Sequence, residues 1–216
     1  MSAIEAVVFD LDGVLVDSEH VWDEVREELA RERGGGWHDR AQADMMGMSS
    51  TEWSRYMHDV IGLSSSPEEI NDEVVRRMQA RYATELPLID GAVEAVERLA
   101  GSFRLAIASS SNRQLIDAVL AQAGLARFFD VTVSSEEVAR GKPAPDVFLE
   151  AARRLDVAPE RCAAVEDSGN GLRAAHAAGM RVIAIPNRRY PPPANALALA
   201  DVELDSLGEL SSEVVS

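Results

Sequence analysis

The 216-residue chain contains one cysteine, Cys162, which lies within an apolar run. A single cysteine excludes a disulfide framework within the chain and a metal site built from thiolates. No apolar run is long enough to span a membrane, and the chain reaches its first predicted strand without a secretory leader. We therefore expect a soluble cytoplasmic protein with no membrane partner.

Positive charge is also scarce. The chain has 21 Lys and Arg against 37 Asp and Glu, a formal net charge of -16. This charge disfavours binding to nucleic acid or to an anionic membrane surface. It would also repel a phosphorylated ligand, so an anion site must carry its own local positive charge. Lys142 is the chain's one lysine, which suggests a site that needs a compact point charge rather than a planar arginine fork.

The stretch from Ala6 to Ser18, AVVFDLDGVLVDS, is the most informative part of the chain. Its apolar start predicts a buried strand that ends directly before Asp10 and Asp12. Side chains two residues apart in an extended chain point the same way, so both carboxylates should meet beyond the strand's carboxyl end, where α/β sheets bind ligands. Adjacent carboxylates need a cation or a proton between them, which predicts a catalytic metal site. The alternative interpretation of Asp10 and Asp12 is a simple turn after the strand. Asp17 and Ser18, at the end of the stretch, are predicted to cap the next helix.

The hydrophobic pattern divides the rest of the chain into two parts. Residues 17–83 show only helical periodicity, interrupted by glycine-containing breaks, and predict a small all-helical cap domain. Strand and helix patterns alternate from residue 86 onward. The predicted fold is α/β, a doubly wound parallel sheet formed by residues 1–16 and 84–216 with the helical cap inserted early.

Three later segments place polar groups near predicted strand ends. The run Ser109-Ser110-Ser111-Asn112 could form a phosphate cradle at a helix start, although a plain helix cap is the alternative. Lys142 is followed by prolines at 143 and 145, which should fix the backbone around its ammonium group. Glu166 and Asp167 follow the predicted strand 162–165, as Asp10 follows the first strand. Two acidic sites on parallel strands, a hydroxyl cradle and one fixed lysine together are a strong indication of a catalytic site.

These segments resemble the haloacid dehalogenase-like hydrolase superfamily, in its branch of small phosphatases and β-phosphoglucomutases. The DLDGVLVDS string is similar to motif I of that family, and Ser109, Lys142 and the Glu166-Asp167 pair fall at motifs II, III and IV. The resemblance extends over nearly the whole chain and implies a Rossmann-like core. Its motifs are specific for phosphoryl transfer and say little about the substrate.

The resemblance also implies a role for each motif residue. Asp10 would be the nucleophile, and Asp12 the general acid and base. Mg²⁺ would be held by Asp10, the backbone carbonyl of Asp12, and Asp167, with Glu166 beside it. Four residues would bind the phosphate oxygens: Ser109, Ser110, Asn112 and Lys142. The lysine would also neutralise their negative charge.

Departures from the family's patterns narrow the activity. The presence of Asp12 disfavours dehalogenase activity, because a halide leaving group needs no general acid. The cap contains no lysine, which disfavours phosphonate cleavage through a Schiff base. The mutases carry a histidine where this chain has Trp22, and a Gly-x-Ser-Arg loop where it reads Gly47-Met-Ser-Ser50. We therefore expect a phosphatase acting on a small phosphorylated metabolite, a sugar phosphate being one such class. Because Arg55 could replace the missing arginine, a β-phosphoglucomutase-type mutase stays as the alternative, and a non-catalytic binding protein of the same fold is the second.

Specificity should come from the cap, which would close over the core as a lid. The candidate substrate contacts there are Trp22, Met48, Ser49, Ser50, Trp53 and Arg55. For the two tryptophans, packing within the cap is an equally good interpretation. We expect a monomer or a weak homodimer.

Overall fold

Six parallel strands form one sheet at the centre of the computed structural model, which describes residues 3–46 and 48–216. The strands are β1 (Ala6–Phe9), β2 (Arg104–Ser109), β3 (Val131–Ser134), β4 (Cys162–Glu166), β5 (Arg181–Ala184) and β6 (Val202–Glu203). Their order across the sheet is β3-β2-β1-β4-β5-β6. The order reverses between β1 and β4, and this switch point is where open α/β sheets bind ligands.

Strand β1 is buried on both faces because helices cover both sides of the sheet. Val7 and Phe9 pack into one apolar cluster, whereas Ala6 and Val8 pack into the other. Phe9 is level with a β2 residue on one side and with Val165 of β4 on the other. These central strands therefore end together, and the polar residues that follow them meet at one edge of the sheet.

Ten α-helices accompany the strands within the described residues. They are α1 (Glu19–Glu32), α2 (Ala41–Met45), α3 (Ser50–Asp59), α4 (Pro67–Thr84), α5 (Ala92–Ala100), α6 (Arg113–Gln122), α7 (Asp146–Leu155), α8 (Gly169–Ala177), α9 (Ala194–Leu197) and α10 (Ser212–Val215). Apolar residues of α5 and α6 pack on one face of the sheet, and those of α7 and α8 pack on the other. This arrangement confirms the predicted doubly wound α/β fold with an all-helical insert.

Helices α1 to α4 form the insert between β1 and α5. The local sequence explains where two of them begin, since Ser49 and Ser66 each form a capping box with a glutamate three residues later. A buried stripe along α4 includes Ile70, Val74 and Met78, which repeat at the helical spacing of three to four residues. None of the described helices is long and apolar enough to cross a membrane.

The two connections between the insert and the sheet lie side by side. Val16 forms an antiparallel bridge with Leu88. The amide of Asp17 donates to the carbonyl of Pro87 at 2.8 Å, and the amide of Ile89 donates to the carbonyl of Leu15 at 3.0 Å. The chain therefore enters and leaves the helical insert at one place.

Candidate active site

A buried lysine connects the carboxyl ends of β1 and β4. Lys142 lies in the loop before α7, and its Nζ donates to Oδ1 of Asp10 at 2.8 Å and to Oε1 of Glu166 at 2.6 Å. The lysine is 3% exposed and Glu166 is fully buried. Burial alone would lower the pKa of Lys142, but the two carboxylates outweigh it and hold that pKa above its usual value. The ammonium group therefore stays charged.

Three carboxyl groups crowd around this lysine. One oxygen from each of Asp10, Glu166 and Asp167 lies within 4.8 Å of the other two, and all three residues are buried. Burial and the neighbouring carboxylates raise the pKa of Asp10 to about 8, against the opposing charge of Lys142. The same causes raise the pKa of Asp167 well above its usual value. One ammonium cannot balance three carboxylates, so this oxygen-only group fits a hard divalent cation.

Backbone groups and two glycines hold these acids in place. Oε2 of Glu166 accepts hydrogen bonds from the amides of Asp167 and Ser168, at 3.1 and 3.2 Å. A Cβ on Gly171, in the first turn of α8, would lie 1.8 Å from Oε1 of Glu166. A Cβ on Gly13 would lie 1.9 Å from Oδ2 of Asp167, and Gly13 also has a φ of +79°. Both positions therefore require glycine for the acids to keep their places.

Asp12 lines the cavity between the core and the cap and accepts hydrogen bonds from both. Its Oδ1 accepts hydrogen bonds from Ser18 Oγ at 2.5 Å and Trp22 Nε1 at 3.1 Å, and its Oδ2 accepts from Ser111 Oγ at 2.6 Å. Ser18 is the N-cap residue of helix α1, as predicted, but its side chain makes no capping hydrogen bond and its hydroxyl binds Asp12 instead. Asp12 is thus held jointly by the core and the cap.

The predicted phosphate cradle lies next to Asp12. Ser109 Oγ accepts from the amide of Ser111 at 2.9 Å and lies 3.4 Å from Oδ2 of Asp12. Ser110 lines the cavity between core and cap. Asn112 instead donates to Asn71 of the cap at 3.1 Å, so its predicted part in phosphate binding stays a prediction.

The core residues and the helical insert enclose a cavity with about 40 Å³ of free volume. From the core it is lined by Asp10, Asp12, Ser110, Ser111, Lys142, Asp167 and Ser168, and from the insert by Glu19, Trp22, Arg26, Met45, Met46, Met48 and Trp53. A pocket for a small ligand usually has several hundred Å³. The free volume of this cavity is well below that range.

Only part of the predicted cap set reaches this cavity. Trp22, Met48 and Trp53 line it, whereas Ser49 binds Glu52 within its own helix turn. Ser50 Oγ donates to Glu136 of the core at 3.2 Å. Arg55 is exposed, and Gly47 lies outside the described residues. Substrate contacts by Ser49, Ser50 and Arg55 stay predictions.

Sequence reasoning missed a polar cluster on the cap side. Gln42 Nε2 donates to Oε2 of Glu19 at 2.8 Å, and Arg26 Nη1 donates to Oε1 of Gln42 at 3.2 Å. The Arg26 guanidinium lies 4.6 Å from the ring centre of Trp22 and 4.9 Å from that of Trp53. Burial lowers the pKa of Arg26 to about 10, and burial together with the charge of Asp12 raises the pKa of Glu19 to about 7.

The sequence did contain a signal for Glu19 and Arg26. Together with Trp22 they recur at steps of three and four residues, so all three share one face of α1. Gln42 lies on α2, and only the tertiary hydrogen bonds of its side chain to Glu19 and Arg26 bring it into the cluster.

Comparison with known proteins agrees with the site. The family model described as haloacid dehalogenase-like hydrolase matches residues 4–179. Hexitol phosphatase B of Escherichia coli K12 is 33% identical, over 97% of this chain and 96% of that protein. The phosphorylated carbohydrates phosphatase of Thermotoga maritima is 30% identical, over 83% of this chain and 84% of that protein.

A solved structure is similar over the same extent. The structure of CbbY from Rhodobacter sphaeroides in complex with xylulose-(1,5)bisphosphate has a TM-score of 0.83 and 33% sequence identity, over 96% of each chain. The family match extends through all four motif segments and most of the chain. The chain therefore belongs to the haloacid dehalogenase-like hydrolase family, as its motifs predict, and is an enzyme of the phosphatase kind.

Proposed function

We propose that this protein is a Mg²⁺-dependent phosphatase that hydrolyses a small phosphorylated metabolite of the sugar phosphate class through a phosphorylated Asp10. One observation carries the proposal: Lys142 bridges Asp10 and Glu166 beside a third buried carboxylate, at the switch point of the sheet. A phosphate group placed there would meet a nucleophilic carboxylate and a fixed positive charge together.

The donor set favours Mg²⁺. Asp10, Asp167 and the backbone carbonyl of Asp12 would hold the ion, with Glu166 adjacent, and all of these donors are oxygen atoms. When bound, Mg²⁺ would neutralise charge on the carboxylates and on the phosphoryl oxygens. The high pKa of Asp10 without an ion accords with this requirement, because a protonated carboxyl group is a poor nucleophile.

The reaction requires two displacements at phosphorus. An oxygen of Asp10 would attack phosphorus while the bond to the substrate oxygen breaks, and Asp12 would give a proton to that leaving oxygen. Water would then attack the phosphorylated Asp10, passing a proton to Asp12 as the bond to Asp10 breaks and phosphate leaves. Ser109 and the amide of Ser110 would bind the phosphoryl oxygens, and Lys142 would offset their charge.

The position of Asp12 suits the acid and base role. Its carboxylate adjoins the cavity and is oriented by Ser18, Trp22 and Ser111. Two of these donors belong to the entry of the helical insert, so closing the insert over the substrate would also set the direction of Asp12. We also propose a core of residues 1–16 and 84–216 and a cap of residues 17–83, because helices α1 to α4 lie between two adjacent connections.

The relatives support the substrate class. One is named for hexitol phosphates and another for phosphorylated carbohydrates. Hydrolysis is favoured over the mutase reaction because Ser50, where the mutases have arginine, turns to Glu136 of the core. A mutase must bind a second phosphate, and a serine already bonded to a carboxylate gives no charge for it.

The test is phosphate release from a panel of phosphorylated metabolites with Mg²⁺, with conversion of β-glucose 1-phosphate to glucose 6-phosphate followed in parallel. We expect release from sugar and polyol monophosphates, lost with a chelator and in Asp10→Asn. Asp17→Asn is the matched control, because Asp17 belongs to the same string but is exposed. Appreciable turnover by Asp10→Asn would exclude Asp10 as nucleophile, and isomerisation without release would establish the mutase.

A further inference from the structure

We infer that Arg26, oriented by Gln42 and Glu19, binds a hydroxyl group of the substrate's leaving alcohol and selects neutral polyhydroxylated leaving groups over those with a second anionic group. This inference rests on the proposed phosphatase function and concerns the part of the substrate that remains after phosphate is removed. Arg26 is 5% exposed and lines the cavity as part of the helical insert.

The first argument is an unused donor. Nε of Arg26 is buried and has no hydrogen-bond partner among the described residues. A buried donor on a charged group without an acceptor is costly, and native sites normally supply one. Arg26 lines the cavity, and the rings of Trp22 and Trp53 pack against its guanidinium. A ligand oxygen in the cavity would satisfy it.

The second argument is that this arginine is held in a fixed orientation. Gln42 accepts from Nη1 of Arg26 and donates to the Glu19 carboxylate, which links the three side chains in a row. The two indole rings restrict the remaining motion of the guanidinium. A preorganised donor loses little entropy when the ligand arrives, which is how such a residue contributes affinity and specificity.

The third argument concerns charge. Glu19 balances the charge of Arg26, and the cavity is also lined by Asp10, Asp12 and Asp167. A second phosphate or carboxylate on the substrate would lie near Glu19 and be repelled by it. A hydroxyl group can accept from Arg26 and donate to Glu19 at once, so the cluster matches the two hydrogen-bonding roles of an alcohol.

Binding is the direct test, measured in the Asp10→Asn protein with Mg²⁺ so that nothing is turned over. Calorimetry would compare sorbitol 6-phosphate, fructose 1,6-bisphosphate and inorganic phosphate, with and without Arg26→Met. We expect Arg26→Met to weaken sorbitol 6-phosphate binding about 10- to 100-fold, the range of a lost charge-assisted hydrogen bond, and to leave inorganic phosphate binding within about twofold. Arg31→Met, an exposed arginine on the same helix, should change neither.

The outcomes separate this inference from the proposed function. Unchanged sorbitol 6-phosphate binding, or an equal loss for inorganic phosphate, would overturn the role of Arg26. Tighter binding of the bisphosphate than of the monophosphate, lost in Arg26→Met, would overturn the neutral selection and make Arg26 an anion site. Failure of the wild-type enzyme to release phosphate from any substrate would reject the phosphatase proposal, while the binding ratios would still decide the role of Arg26. If Arg26→Met does not fold, Arg26→Lys keeps the charge but lacks Nε, and we expect it to weaken sorbitol 6-phosphate binding about 5- to 10-fold.

Discussion

The two walls of the cavity are built differently. The core wall carries its groups on strand ends: Asp10 follows β1, Glu166 ends β4, and the sheet register brings them together. The cap wall carries Glu19 and Arg26 on one face of α1, and Gln42 of α2 joins them only through tertiary contact. The core wall is acidic around one lysine and suits phosphoryl transfer, whereas the cap wall is aromatic with a balanced pair of charges and suits recognition. Substitutions in the core wall should therefore change the rate of the chemical step. Substitutions in the cap wall should change substrate choice and the stability of the protein.

After the loss expected for Asp10→Asn, the largest effect should come from a substitution that keeps the charge of the core wall. Lys142→Arg should lower kcat by about 10²- to 10³-fold, because a planar fork cannot take the place of a compact ammonium that contacts both Asp10 and Glu166 within a site 3% exposed. Phosphate release under saturating substrate is the measurement. Arg140→Lys, the reverse exchange at an exposed residue two positions away, is the control and should keep full activity. Near-normal turnover by Lys142→Arg would mean that charge alone suffices at this position.

A smaller effect should come from crowding one acid of the core wall. Gly13→Ala should weaken activation by Mg²⁺ about 10- to 100-fold, because the added Cβ would meet Oδ2 of Asp167 at 1.9 Å and displace a predicted ligand. Gly34→Ala is the matched control, since Gly34 has a similar φ of +75° and nothing within 4 Å of the added atom. Both variants should lose about 1 kcal/mol of stability from the left-handed backbone. The two would be distinguished by a Mg²⁺ titration of activity, and equal Mg²⁺ responses would contradict the steric argument.

The smallest effect on turnover should come from a substitution in the cap wall, Glu19→Gln. We expect this variant to change how the stability of the protein depends on pH. The folded protein raises the pKa of Glu19 from 4.5 to about 7, so between these values it binds more protons than the unfolded chain and its unfolding free energy falls as pH rises. The fall amounts to at most about 3 kcal/mol. Glutamine removes this slope, so Glu19→Gln should be as stable as the wild type near pH 4.5 and more stable at pH 8.

Urea unfolding at a series of pH values measures that difference. Glu24→Gln, at an exposed residue of the same helix, should follow the wild type at every pH. If the unfolding free energy of Glu19→Gln changed with pH in parallel with that of the wild type, Glu19 would have its ordinary pKa in the folded protein.

The same contrast explains what the sequence could predict. Strand β1, the acids after it and the lysine loop were predictable, because a buried apolar run followed by acids has few physical interpretations and its family motifs are specific. The partners of Asp12 were not: Ser18 has the position and the residue type of a helix cap, yet its hydroxyl turns to a carboxylate six residues earlier in the chain. Gln42 could not be assigned either, since its partners lie 16 and 23 residues away and depend on how two helices pack. Contacts between helix faces are tertiary, whereas strand-end groups are fixed by local pattern and parallel pairing.

The paired connections at Val16 and Leu88 have a consequence for the history of such a protein. Because both connections run together and no strand lies between them, exchanging that segment would cut none of the six strands. Recombination or insertion at this place could replace the proposed recognition surface in one event, while Asp10, Lys142 and Glu166 stayed in the chain. New substrates could then be acquired by changing one continuous stretch of gene, without a new catalyst having to evolve.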